Sequence, residues 1–281
     1  MKTALNLEDY KVLKTFLGNE SNKIYLLEDK TTKENFIFKR IKIYNLDVQI
    51  REIQIQKNID HVYIIKLIDY FIGPEYIDLI IEYAPKGDLF EFINSLKCIK
   101  ESTILTLFYK IVKSIDFVHS KGFIHRDIKP ENILVGDDFQ PKLADFGSSV
   151  SHLKVRNTFC GTYEYMAPEI YKREVQTEKV DIWALGVLLY EMTHNNIPFR
   201  DKCLGEIQLI ITNENIDFDS QISQRIQNII YKILKLDPTE RPTAKDILLM
   251  PELIDINERI KLSAKEDLDK IYADGEEELD R

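Results

Sequence analysis

The stretch F-I-H-R-D-I-K-P-E-N-I-L-V, Phe123 to Val135, decides how the rest of the chain is read. It sets an acid, a lysine and an asparagine, at Asp127, Lys129 and Asn132, between two apolar runs. That is the pattern of a reactive loop suspended from buried segments. Thirteen residues after Asn132 comes Asp145-Phe146-Gly147, a second polar point. Holding phosphates through a divalent cation takes carboxylate and amide oxygens from at least two such places, plus a base near the attacking hydroxyl.

Working outward, Ile104, Phe108, Ile111, Ile115 and Val118 recur at helical spacing and predict a long amphipathic helix running into the stretch. On the other side, Thr177 to Met192 reads as a helix with little polar face, through Val180, Ile182, Trp183, Leu185, Val187, Leu188 and Leu189, and so as one buried almost all round. Ile222, Ile226, Ile229, Ile230, Ile233 and Leu234 mark a further helix, and Pro238 and Pro242 bracket the turn before another at about Ala244 to Leu249.

The N-terminal part has a different period. Three antiparallel strands are expected between Tyr10 and Ile43, joined by the polar turns Gly18 to Asn22 and Asp29 to Glu34. A helix follows from about Asp47 to Asn58, with Ile50, Ile53 and Ile55 on or near one face, and strand-like runs return from His61 to Glu82. Pro85-Lys86-Gly87 breaks the pattern and is read as a hinge. The expected class is α+β. Its parts are an N-terminal extension (1–9), a small, mostly antiparallel β lobe with one main helix (10–84), the hinge with a larger, mostly helical lobe (85–253), and a C-terminal helical and acidic tail (254–281) ending in the solvated stretch Ala273 to Arg281.

A length of 281 residues suits one large domain or two lobes. The net charge of −9 argues against nucleic acid or an anionic membrane as main partner, since both reward basic surface, and it permits a basic substrate. Cys98, Cys160 and Cys203 form an odd set without metal-ligand spacing, which suits a reduced intracellular setting. Met1 to Tyr10 does not read as a signal sequence, and no apolar run approaches the roughly 20 residues of a membrane span.

H-R-D-x-K-x-x-N followed by D-F-G resembles the signature of eukaryotic protein kinases. The resemblance implies the bilobal kinase fold and ATP with Mg2+ as cofactors. It implies Asp127 as the residue that orients the acceptor hydroxyl and takes its proton, Lys129 on the transferred phosphate, and Asn132 and Asp145 as metal ligands. Lys39, in I-F-K on the third strand, would hold the α- and β-phosphates. It is preferred over Lys42 because it lies fifteen residues after Ile24, where the pattern has the valine that follows the glycine-rich loop. Glu52 would pair with Lys39. Leu17, Gly18 and Ile24 would cover the nucleotide, Ile80, Ile81, Glu82, Tyr83, Ala84 and Leu134 would hold its base, and Ile81 would be the gatekeeper. The glycine-rich loop itself departs from the pattern. G-N-E-S-N-K keeps only Gly18 and places Glu20 where a glycine lets the backbone approach phosphate, which implies a weaker hold on nucleotide with the catalytic set retained.

Lys129 and the ending G-T-Y-E-Y-M-A-P-E resemble the Ser/Thr class. R-N-T-F-C-G-T, E-K-V-D-I-W-A-L-G-V-L-L-Y-E-M and R-E-I-Q-I-Q are similar to Aurora kinases, from which Ser148, in place of tryptophan, and His61-Val62-Tyr63 depart. The resemblance implies cell-division control, a cytoplasmic protein with nuclear or spindle association open, a monomer, protein substrates with basic motifs, and an activating protein partner. Thr158 is the expected activation-loop phosphosite, two residues after Arg156, with Arg126 as the phosphate's partner. Asp88 and Glu131 would meet substrate arginines, and Thr162 would contact Asp127 and Lys129. Asp181 would hold the catalytic-loop backbone, and Glu169 would pair with Arg241. The alternative reading is a binding or scaffolding module that keeps the fold without turnover.

Overall fold

The computed structural model describes residues 7–18, 22–96, 99–151, 162–213 and 215–262. Alternation of side chains builds the first part of the chain. Strands β1 (Tyr10–Gly18), β2 (Asn22–Asp29) and β3 (Asn35–Lys42) are followed by helix α1 (Leu46–Asn58), then β4 (Leu67–Ile72) and β5 (Tyr76–Glu82). They form one antiparallel sheet in the order β1-β2-β3-β5-β4. One face packs Leu27, Phe38 and Ile80, and Ile53, Leu67, Ile77 and Leu79 form a separate cluster.

Helix α1 is entered through a buried amide. Gln49 is 1% exposed; its Oε1 accepts from the Tyr44 N–H at 3.1 Å, and its Nε2 donates to the Lys42 carbonyl at 3.0 Å. Asn45 caps the helix by accepting from the Val48 N–H. The expectation of one apolar face on α1 needs correcting. Ile53 joins the sheet-side cluster while Ile55 joins the large core beyond the cleft. Residues two apart on a helix point to nearly opposite sides, so α1 is packed on both.

After the hinge come α2 (Leu89–Ser95), α3 (Glu101–Ser120), β6 (Phe123–Ile124), β7 (Ile133–Val135), β8 (Pro141–Leu143), β9 (Val150–Ser151), α4 (Pro168–Tyr171), α5 (Lys179–His194), α6 (Leu204–Thr212), α7 (Gln224–Ile233), α8 (Ala244–Leu248) and a helix over 254–262, α9. The sequence reading anticipated α3, α5, α7 and α8 but not α2 or α6, which are short and carry few buried positions. No described helix is long and apolar enough to cross a membrane.

Helix α5 is the axis of this helical part, with Ile182, Leu185, Val187, Leu188 and Leu189 fully buried. Gly186 lets α7 approach it. A Cβ there would lie 2.7 Å from Leu234 Cδ2 and 2.8 Å from Ile233 Cγ2. Beside this contact, the buried Arg241 guanidinium takes both oxygens of Glu169, at 2.7 and 2.8 Å, and donates to the Lys235 and Lys179 carbonyls. It also lies 5.1 Å over the Trp183 ring. Taking one partner from such a pair typically loses about 3–5 kcal/mol, because the other charge stays buried alone. The Ala167-Pro168-Glu169 segment is thereby tied to the helical core.

Gly186→Ala is expected to lower stability by about 1–3 kcal/mol through overpacking between α5 and α7. Urea unfolding should show the loss as a lower midpoint with an unchanged slope.

Candidate active site

The catalytic stretch leaves β6 and enters β7, and its shape comes from one carboxylate. Asp181, in the first turn of α5, is fully buried. It accepts from the His125 N–H at 2.8 Å and the Arg126 N–H at 2.7 Å, and its Oδ2 is 2.8 Å from His119 Nε2. Burial alone would push this carboxyl up, yet the His119 contact and the Arg126 N–H hold it below the usual carboxylate range. Arg126 is left-handed, with φ of 69°. A non-glycine residue pays about 1 kcal/mol or more for that conformation, and here the turn aims two successive N–H groups at Asp181.

His125 joins this loop to the second polar point. Its ring is buried, which lowers its pKa and keeps it neutral. Nε2 is 3.0 Å from the Ala144 carbonyl, Nδ1 accepts from the Asp127 N–H at 3.4 Å, and the ring meets Phe146 edge-on at 5.0 Å. Asp145 is also left-handed, with φ of 57°, and its Oδ1 accepts from the Gly147 N–H. The Ala144 N–H donates to the Asn132 carbonyl at 2.8 Å, so the two loops are stitched on both sides.

Four side chains then converge. Asn132 Nδ2 donates to Asp127 Oδ2 and to the Asp127 carbonyl, both at 2.8 Å. The Thr162 N–H and hydroxyl both donate to Asp127 Oδ1 at 3.1 Å. Lys129 Nζ donates to Thr162 Oγ1 at 2.7 Å and is 3.6 Å from Asp127 Oδ2. Thr162 therefore makes both contacts expected of it. Asn132 and Asp145 both line the main cavity, and they fit the oxygen preference of Mg2+, which takes one or two protein ligands and completes its shell with water and phosphate. No cluster of three or more His, Cys, Asp or Glu capable of holding a metal occurs among the described residues.

That cavity, of about 590 Å³, lies between sheet and helical core. Ile24, Lys39, Ile81, Glu82, Tyr83, Ala84, Asp88, Glu131, Asn132, Leu134 and Asp145 all line it. Lys42, the rival to Lys39, is exposed at the end of β3. The hinge closes the far side: Gly87 has φ of 77°, and backbone pairs between Lys86 or Gly87 and Val135 hold Leu134 against it. Gly18 ends β1 opposite Lys23; residues 19–21 and the side chains of Leu17 and Gly18 lie outside the described residues. So do Thr158, Arg156, Cys98, Cys160 and the stretch Ala273 to Arg281.

Two expectations change here. Ile80 does not line the cavity and packs with Leu27 and Phe38 instead. Lys39 and Glu52 form no ion pair within 4 Å among the described residues; burial and the negative Asp145 push the Glu52 carboxyl up, and Lys39 only partly opposes them. Glu52 also lines a second cavity of about 300 Å³ on the other side of α1, so the helix has space on both flanks. Asp88 is the N-cap of α2 and uses Oδ1 to accept from the Glu91 N–H at 2.8 Å, which ties it to the helix end. Arg126 Nε donates to the Ser148 carbonyl at 2.7 Å, at the start of the segment leading to Thr158.

The sequence reading missed several residues. Glu91 lines the cleft and folds over the hinge, its Oε2 2.8 Å from where a Gly87 Cβ would stand. The signal for it was D-x-x-E at the start of α2. Glu191, in α5, accepts from the Tyr165 hydroxyl; burial raises its pKa, Glu131 and Glu164 add to the rise, and Arg200 opposes it. Nothing local marks Glu191, because its neighbours come from three separate segments.

The chain matches the family described as Protein kinase domain over residues 14–251. It is 34% identical over 254 residues to an Aurora kinase of Dictyostelium discoideum, covering 87% of this chain and 66% of that protein. It is 32% identical to Aurora kinase B of Mus musculus, covering 89% of this chain and 74% of that one. Against Aurora kinase C of Mus musculus it is 30% identical over 90% of this chain and 95% of the other. With the antiparallel sheet, the helical core and the paired loops between them, these similarities show that the chain belongs to the protein kinase family, in its serine/threonine class, and is similar to the Aurora kinases.

Proposed function

We propose that this chain transfers the γ-phosphoryl group of Mg-ATP to serine or threonine in arginine-containing proteins. The observation that carries the reading is the Asp127 carboxylate, fixed by Thr162 and by Asn132, which lines the same cavity as Lys39 and Asp145, with Lys129 beside it. A Mg2+ ion held by Asn132 Oδ1 and the Asp145 carboxylate would offset phosphate charge there. Asp127 orients the acceptor hydroxyl and receives its proton as the new O–P bond forms and the bond to the β-phosphate oxygen breaks. Lys129 offers positive charge to the moving phosphoryl group, and Lys39 to the phosphates left behind. Glu52 completes the arrangement by reaching Lys39, which requires α1 to shift toward β3. Phosphate on Thr158 supports that shift by adding anionic oxygens near Arg126, which already grips Ser148. An activating protein partner would act on the same equilibrium, and an Aurora-like part in cell-division control is the role the similarity supports.

For substrate choice, the supporting observation is the set Glu131, Glu164 and Glu191. Burial raises Glu191 and repulsion from Glu131 and Glu164 adds to the rise, so a guanidinium placed among them relieves like-charge strain as well as forming new contacts.

Asp145→Asn is expected to abolish Mg-ATP-dependent phosphorylation of an arginine-rich peptide. Nucleotide binding without turnover in the wild type would favour the scaffold reading instead. Intact-mass spectrometry after incubation with Mg-ATP should show phosphate on Thr158, and an active enzyme unmodified there would refute autophosphorylation at that site. Glu191→Gln should raise KM for the arginine peptide roughly tenfold, equivalent to about 1.4 kcal/mol, with a smaller change in kcat. Because Glu191 is raised, it loses its charge on acidification before an ordinary carboxylate does. The wild-type KM should therefore climb as pH falls toward the carboxylate range, more steeply than that of the variant.

A further inference from the structure

A cavity of about 300 Å³ on the helical lobe shares no lining residue with the cleft. Its apolar walls are Phe92 of α2, Leu107 of α3 and Phe139 of the turn between β7 and β8. Its charges are Lys110 of α3, Arg259 of α9 and Asp138 of the same turn. Phe139 is 54% exposed at a left-handed φ of 58°, with the Phe92 ring 5.7 Å away. A bulky side chain is rarely held in that conformation, and here it presents an aromatic face to the cavity rim. Lys110 forms no ion pair within 4 Å among the described residues; burial pulls its ammonium below the usual lysine range, and Asp138 only partly opposes this. The Arg259 side chain is 65% exposed and 3.6 Å from Asp255. Two cations against one acid, around an aromatic floor, call for an occupant that is apolar and anionic together.

Such a segment follows at once in the chain. Arg259 lies three residues before Leu262, and residues 263–281, outside the described ones, read S-A-K-E-D-L-D-K-I-Y-A-D-G-E-E-E-L-D-R. Eight acidic and three basic side chains give this stretch −5 of the chain's −9. It also carries Leu268, Ile271 and Tyr272 at i, i+3 and i+4, the spacing that sets side chains on one helical face, and Asp267 and Asp269 flank that face. Leu268 comes six residues after Leu262, a reach of about 20 Å when extended. A tether that short gives a high effective concentration, so modest contacts suffice for docking. We propose that this cavity is the docking surface for the chain's own segment 267–272. Leu268, Ile271 and Tyr272 pack against Phe92, Leu107 and Phe139, and Asp267 and Asp269 face Lys110 and Arg259.

The test is zero-length carbodiimide cross-linking of the full chain, which joins a lysine to a carboxylate in contact with it, read by peptide mass spectrometry on an equal mixture of unlabelled and 15N-labelled protein. Lys110 should be joined to Asp267 or Asp269, with both peptides carrying the same isotope. Hydrogen exchange gives a second measurement. In Leu268→Ser/Ile271→Ser/Tyr272→Ser, exchange over residues 136–140 should quicken by about tenfold, equivalent to about 1.4 kcal/mol of lost contact, while α5 is unchanged. Asp267→Asn/Asp269→Asn should quicken it by a smaller factor, as should about 0.5 M salt in the wild type, where exposed charges are screened. Both variants alter residues beyond α9 and leave the packed core untouched. The proposal is overturned if Lys110 forms no cross-link to this segment, or if exchange over 136–140 is the same in the wild type and the triple variant. Cross-links found only between peptides of different isotope would assign the surface to a second copy of the chain and overturn docking within one.

Discussion

A buried carboxylate, Asp181, sets the geometry on which the rest of this molecule depends. Removing a carboxylate from water is costly unless several donors replace the lost hydration. Here two backbone N–H groups and the His119 ring do so. The donors come from α3 and from the catalytic stretch, and the acceptor from α5. The desolvation that penalises a free buried charge thus becomes a constraint on three segments at once. It also sustains the left-handed turn at Arg126, a conformation that needs a surrounding structure to hold it.

From that anchor the order of the site propagates outward through hydrogen bonds. His125 is held neutral by burial, so each ring nitrogen has one role, and it links Asp127 to Ala144. Asn132 is oriented by donating twice to Asp127 through its Nδ2. The opposing sheet is less tightly bound to this network. Helix α1 is packed on two sides but has cavities on both flanks, and Glu52 stands nearer in effect to Asp145 than to Lys39. The helical half joins its groups through this network, whereas in the sheet half Lys39 and Glu52 form no ion pair and Lys39 only partly opposes the rise of the Glu52 carboxyl.

The surroundings of Tyr165 follow the same logic with opposite sign. Tyr165 and Glu191 are joined by a hydrogen bond, and burial drives the pKa of both upward. Glu131 arrives from the catalytic stretch itself and Glu164 from the segment before Ala167-Pro168-Glu169. That segment is fixed in turn by the buried Glu169–Arg241 pair. Carboxylates gathered from three segments around a partly buried oxygen leave an excess of negative charge that a guanidinium can neutralise.

The sequence by itself determined the outline. Alternating runs specified the strands, 3.6-residue spacing specified α3, α5 and α7, and the thirteen residues from Phe123 to Val135 with Asp145-Phe146-Gly147 specified which side chains would meet, because these signals are local and each residue type has a narrow chemical use. Asp181 and the Glu169–Arg241 pair were legible through resemblance, and Lys39 could be chosen over Lys42 by spacing. What only the tertiary structure decided is relative placement. Ile53 and Ile55 part to opposite sides because α1 lies between two packed bodies, Asp88 is tied to a helix N-terminus, Ile37 joins the cavity lining by standing across from Ile81, and Glu191 becomes acidic surroundings for Tyr165 through segments far apart in the chain. The separation of Lys39 from Glu52 belongs here as well. The sequence supplies both charges, but the distance between them depends on how α1 packs, and that energy is shared among contacts no single stretch contains.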